Sequence, residues 1–141
     1  MSFWRKTEMI TYQLEPQLST EEFRQILVAS TLAERRPADD LERLTLMLRN
    51  ADVILTARDG DRLVGISRAI TDFAYCCYLA DLAVDRDYQR QGLGRRLIEE
   101  THRTAGERTR LILLAAPAAE TYYPKIGMEH MPRCWSLPRT T

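Results

Sequence analysis

Apolar and polar positions along the chain change period several times, and each change marks an element. Ile10, Tyr12 and Leu14 alternate with Thr11, Gln13 and Glu15, a period of two that predicts a strand stopped by Pro16. The period then lengthens. Phe23, Ile26, Leu27 and Leu32 fall on one helical face behind a Ser19 or Thr20 cap, with Glu21 and Glu22 in the first turn. Residues 35–39, Arg-Arg-Pro-Ala-Asp, break the pattern, and Asp39 or Asp40 can cap a second helix carrying Leu41, Leu44, Met47 and Leu48. Strand-like segments follow at 53–57 and 63–70, joined by the hairpin signal Asp59-Gly60-Asp61-Arg62, with Gly65 marking a bulge or a close approach. Residues 73–84 are almost continuously apolar, as a strand covered on both faces would be.

Beyond Val84 comes a charged break over residues 85–87. A helical pattern then starts at Leu93, with Leu97 and Ile98 on the same face, and ends near Ala105, where Gly106 is placed to cap it. Residues 111–116 predict another strand, ended by Pro117. Residues 118–126 predict a short helix closed by Gly127, and 128–137 a final strand or hairpin. Met1 to Glu8 shows no period and reads as a loose lead-in. The resulting order, β-α-α-β-β-β-α-β-α-β, implies one α/β domain over residues 1–141, with a mixed central sheet flanked by helices.

Composition narrows the function classes. A chain of 141 residues that is 45% hydrophobic and 28% charged fits an ordinary globular domain. Twenty basic residues balance twenty acidic ones, so no overall field recruits nucleic acid or an anionic membrane. Any anion site must be local. No apolar run reaches the length of a membrane span, and no signal-peptide core is present. Three cysteines, Cys76, Cys77 and Cys134, form no disulfide framework and imply a cytoplasmic setting. Two distant histidines without a Cys-x-x-Cys motif argue against a metal site.

The local anion site is predicted where the long strand meets the long helix. A turn bearing Gly92 and Gly94 presents unpaired N–H groups at the positive end of the helix dipole and lets the backbone approach a bulky anion. Arg90, Arg95 and Arg96 add positive charge. The turn has neither the Gly-Lys-Ser/Thr ending of a P-loop nor the third glycine of a dinucleotide fingerprint. Gln89-Arg90-Gln91-Gly92-Leu93-Gly94 does fit Gln/Arg-x-x-Gly-x-Gly/Ala. That segment resembles the acyl-coenzyme A pyrophosphate loop of the GCN5-related N-acetyltransferase (GNAT) superfamily, and Leu82-Ala83-Val84 resembles the end of its central strand. Residues 120–128, Glu-Thr-Tyr-Tyr-Pro-Lys-Ile-Gly-Met, are similar to the family's Tyr-x-Lys-x-Gly-aromatic segment, with Pro124 and Met128 as departures.

The resemblance implies an acetyl-CoA-dependent enzyme acetylating an amine of a small molecule or protein, and by family habit a homodimer. It implies that backbone groups of Leu82, Ala83 and Val84 hold the pantetheine arm and acetyl carbonyl, and that Gln89, Arg90, Gln91, Gly92, Leu93, Gly94 and Arg95 hold the pyrophosphate. Aligning Lys125 and Gly127 with the family pattern puts its active-site tyrosine at Tyr123, facing the thioester sulfur. The rival reading is a non-catalytic acyl-CoA-binding domain. Asp81, a carboxylate in an apolar strand, is the first choice of general base, but it could equally cap a turn or pair with an Arg. Glu120 and Tyr78 stand behind it, and a water relay needs no dedicated base. Arg35, Arg36 and Asp39 fall where the family's acceptor often binds, or form a solvated turn.

Overall fold

The computed structural model describes residues 9–140; the lead-in over Met1 to Glu8 lies outside that range. Five strands form one sheet in the order of the chain: β1 (Ile10–Leu14), β2 (Val53–Asp59), β3 (Arg62–Thr71), β4 (Cys76–Val84) and β5 (Arg110–Ile112). The first four pair antiparallel and β5 pairs parallel to β4, giving the expected mixed α/β sheet. Helices α1 (Thr20–Ala29) and α2 (Leu41–Arg49) cover one face, and α3 (Leu93–Ala105) covers the other. Among the described residues no helix is long and apolar enough to cross a membrane.

Local chemistry accounts for the helix ends. The Ser19 hydroxyl accepts from the Glu22 N–H at 3.1 Å, and Asp40 accepts from the Arg43 N–H at 3.0 Å, each satisfying a donor the helix cannot. Gly106 takes φ 105° after α3, a conformation that favours glycine. Phe23, Leu27 and Leu44 are fully buried against Ile54, Ile66 and Ala83, while Leu93 and Leu97 bury against Leu55, Val64 and Leu79. Each such side chain is worth about 1.5–3 kcal/mol of burial, so the sheet is held from both sides. Gly65 has the close-approach role: a Cβ there would lie 3.1 Å from Leu97 Cδ1 and 3.3 Å from Ala57 Cβ.

Four expectations are corrected. The long apolar strand begins at Cys76, not Phe73, because the Asp72 carboxylate accepts from the N–H groups of Ala74, Tyr75 and Cys76 and makes a tight turn. Those bonds hold its pKa down at about 2, and Phe73 adopts φ 59° in the turn. The strand predicted over 111–116 is only Arg110–Ile112, since β4 diverges beyond it. The helix predicted over 118–126 is replaced by 3₁₀ turns at Pro117–Ala119 and Tyr123–Ile126, each with a proline in its opening positions. Residues 128–137 form no strand; Pro132 and Pro138 lack the N–H a ladder requires.

Candidate active site

The site forms where β4 and β5 part. Their ladder runs only from Cys76↔Arg110 to Tyr78↔Ile112. On its other edge β4 stays paired with β3 to Val84↔Gly65, except for one shift: Arg68↔Asp81 is followed by Ala69↔Leu79, leaving Ala80 as the extra residue of a bulge. The Asp85 N–H donates to Val64 O at 2.9 Å, so strand alternation assigns the backbone groups of Ala83 and Asp81 to β3 as well. The N–H and C=O of Leu82 and Val84 then point to the edge that β5 has vacated. Of the three residues expected to hold the ligand through backbone, Leu82 and Val84 turn their groups to the vacated edge and Ala83 turns its groups to β3.

Past Val84, Asp85 caps a 3₁₀ turn over Arg86–Tyr88 by accepting from the Asp87 N–H, and the Tyr88 hydroxyl donates to Asp59 at 2.6 Å. This anchors the turn to the β2–β3 hairpin. The Gln89 side chain folds back, its Nε2 donating to Val84 O at 3.1 Å. Arg90 and Gly92 take φ 64° and 86°, left-handed conformations that aim successive N–H groups outward before the helix begins. A Cβ at Gly92 would meet nothing within 4 Å, so this backbone is open. The Leu93 side chain is buried and anchors the helix, leaving only its N–H at the turn. A groove of about 700 Å³ borders the turn, lined by Tyr12, Gln91, Gly92, Arg95, Arg96 and Glu99 among others. Arg95 pairs with Glu99 at 3.4 Å, and the Arg96 guanidinium stacks 4.8 Å from the Tyr12 ring centroid. Their charge is therefore shared rather than free.

Two adjacent tyrosines close the far side. Tyr123 opens the second 3₁₀ turn and packs on the same core as Leu82 and Val84. Burial raises its pKa, and neighbouring Tyr122 adds to the effect, so its hydroxyl is a proton donor across neutral pH. Tyr122 stands edge-on to it, ring centroids 5.3 Å apart, with its hydroxyl against the first turn of α3. That hydroxyl lies 3.5 Å from where a Cβ of Gly94 would sit and interacts with the Arg95 backbone, so one of the expected anion donors is already engaged.

Asp81 takes the paired role of its alternatives. It is fully buried, with Oδ1 accepting from Arg36 Nε and Oδ2 from Arg68 Nε, both at 2.5 Å. Glu120 is exposed, and Tyr78 lies half exposed on the opposite face of the sheet from Leu79, between Ile70 and Ile112. Arg36 is thus no solvated turn residue. The sequence did not pair it with Asp81, although a carboxylate in an apolar strand demands a cationic partner somewhere in the chain.

A free strand edge for an extended acyl chain, a positive-φ turn for a diphosphate and a protonated tyrosine beside them fit an acyl-coenzyme A. The sequence profile described as "Acetyltransferase (GNAT) family" matches residues 20–128, which span both features. The chain belongs to the GNAT acetyltransferase family. It is 32% identical over 111 residues to "Histone acetyltransferase TAP1" of Glycine max, covering 70% of this chain and 47% of that protein. It thus spans about half the length of that relative. A probable acetyltransferase of Staphylococcus aureus, SA2161, shares the fold with a TM-score of 0.75 at 23% identity, over 94% of this chain and 100% of that one. Aminoglycoside N-acetyltransferase AAC(6')-Iy, solved in complex with CoA, gives a TM-score of 0.72 at 15% identity, over 94% and 95% of the two chains. In this chain the sheet is five-stranded and β5 pairs with β4 over three residue pairs.

Proposed function

We propose that this GNAT chain is an acetyl-CoA-dependent N-acetyltransferase, moving the acetyl group directly to a primary amine of a small molecule or protein. The observation that carries this reading is the open β4 edge: Leu82 and Val84 present backbone groups with no strand opposite them, beside the positive-φ turn at Gly92. Val84 O accepts from Gln89 Nε2, and each group left unpaired there would cost about 1–3 kcal/mol once water is shut out, a penalty that an extended pantetheine arm removes. When bound, the thioester supplies the electrophilic carbonyl. The Leu82 N–H is assigned to polarise that carbonyl, and the N–H groups of Gln91 to Gly94 to hold the diphosphate.

Tyr123 is assigned as hydrogen-bond donor to the departing sulfur. Even at ordinary pKa values of about 10 and 8.5, full transfer of its proton to a thiolate is uphill by roughly 2 kcal/mol, and burial makes it more so. Its role is therefore to stabilise the thiolate, with the proton kept on the phenol oxygen. With Asp81 committed to two guanidinium groups, proton loss from the amine is assigned to water. The reading includes a cytoplasmic homodimer, supported by the unpaired Cys76, Cys77 and Cys134 and by the exposed Trp135 and Leu137.

The test is thiol release from acetyl-CoA with a panel of amines that includes lysine peptides and aminoglycosides. Tyr123→Phe is expected to lower kcat about 10- to 100-fold while leaving the Kd for acetyl-CoA nearly unchanged. Binding without release for any amine would favour the acyl-CoA-sensing alternative. Absence of binding by the folded chain would sink both.

A further inference from the structure

Ala80, the bulged residue of β4, determines which backbone groups reach the cleft. One extra residue inverts strand alternation, so the residues after it face opposite to where an unbroken ladder would put them. With the bulge at Ala80, Leu82 points its N–H toward the vacated edge. A slip of the 81–84 segment by one position would turn that N–H into β3 and bring Ala83 out in its place. Something must fix the bulge, because the extra residue itself has no ladder partner.

Two donors of one side chain do this. Arg36 Nη2 donates to Ala80 O at 2.8 Å and Arg36 Nε to Asp81 Oδ1 at 2.5 Å, while Arg36 Nη1 donates to Arg35 O at 2.8 Å within its own connection. Arg68, across the ladder, holds the other oxygen of Asp81 and donates to Met47 O at the end of α2 at 3.3 Å. The guanidinium of Arg36 thus spans the bulge carbonyl and the next side chain, and its own backbone sits in the connection between α1 and α2. We propose that Arg36 is a positioning residue that locks the β4 bulge and so aims the Leu82 N–H at the acyl group, tying the α1–α2 connection to the coenzyme cleft. The assignment rests on the acetyl-CoA reading above.

The experiment compares backbone amide NMR spectra of the chain with CoA and with acetyl-CoA, in wild type and Arg36→Ala. In wild type the Gly92 and Gly94 amides are expected to shift with both ligands, and the Leu82 amide to shift differently with acetyl-CoA than with CoA. In Arg36→Ala the loop shifts should persist, since Gly92 and Gly94 are not held by Arg36, while the acetyl-dependent difference at Leu82 is lost. Retention of that difference in Arg36→Ala would overturn the proposal. Loop amides that respond to neither ligand in wild type would instead overturn the coenzyme reading beneath it. If Arg36→Ala does not fold, Arg36→Lys carries the same comparison: it keeps a charge beside Asp81 but cannot bond carboxylate and carbonyl in one plane.

Discussion

Gly92→Glu separates an anion site from an ordinary turn. In the free protein the new side chain has room, since nothing lies within 4 Å of where its Cβ would stand, so the fold should survive. Its cost is the positive φ of 86°, about 1–2 kcal/mol for a side chain held in the left-handed region. In the complex the carboxylate meets a diphosphate on the same open backbone. At about 5 Å each pair of like charges repels by roughly 1 kcal/mol in water and about 3 kcal/mol near a protein surface. Two phosphate charges therefore raise the Kd for acetyl-CoA by at least about 15-fold, at about 1.4 kcal/mol per decade. Isothermal titration reads this directly. Gly92→Ala, which carries the backbone strain without the charge, should bind within a few-fold of wild type. Salt should narrow the gap between the two variants, because exposed charges are screened. Equal affinity of Gly92→Glu and wild type would mean that no diphosphate approaches this turn.

Two further outcomes follow from packing and charge. Gly65→Ala is expected to destabilise the chain by about 1–3 kcal/mol, lowering Tm by roughly 4–12 °C, because its Cβ would press on Leu97, Ala57 and the Ala83 carbonyl; an unchanged Tm in calorimetry would contradict that packing. Glu15 is held at a pKa of about 2, chiefly by its hydrogen bond to Arg58. A depressed carboxylate stabilises the fold above its unfolded value near 4.5, and the contribution fades as pH falls through about 2. Between those limits the wild type should lose roughly 1–2 kcal/mol that Glu15→Gln does not, after allowance for solvent screening. Parallel urea-unfolding curves for the two proteins across that range would refute the assignment.

How far the sequence carried depended on the range of the interactions. Strand and helix positions from Ile10 to Gly106 were legible because period and caps are local: Ser19, Asp40 and Gly106 terminate their helices as their chemistry requires. The open turn at Gly92 was legible for the same reason, since Gly92 and its strand and helix are contiguous. Side-chain capture was not. Nothing in the run 73–84 announced that the Asp72 carboxylate would take three amides and delay the strand to Cys76. Likewise, Arg36 and Asp81 are 45 residues apart, and only the folded sheet brings them together. The carboxy-terminal elements were over-read because apolar residues such as Leu113, Leu114 and Trp135 suggest strands even where prolines and a diverging neighbour remove the ladder.

The divergence of β4 and β5 also sets an order of local opening. The strand after α3 joins the sheet's backbone hydrogen bonding through a ladder of three residue pairs, whereas β2, β3 and the rest of β4 are secured along most of their length. Short ladders open at a fraction of the global unfolding free energy. Amides of 110–112 should therefore exchange with solvent well before those of Leu55 or Ile66, through excursions that release β5 and carry Tyr122 and Tyr123 with it. The cleft is then bounded by one stable wall and one that breathes, and a ligand spanning both would slow exchange on the weaker side most.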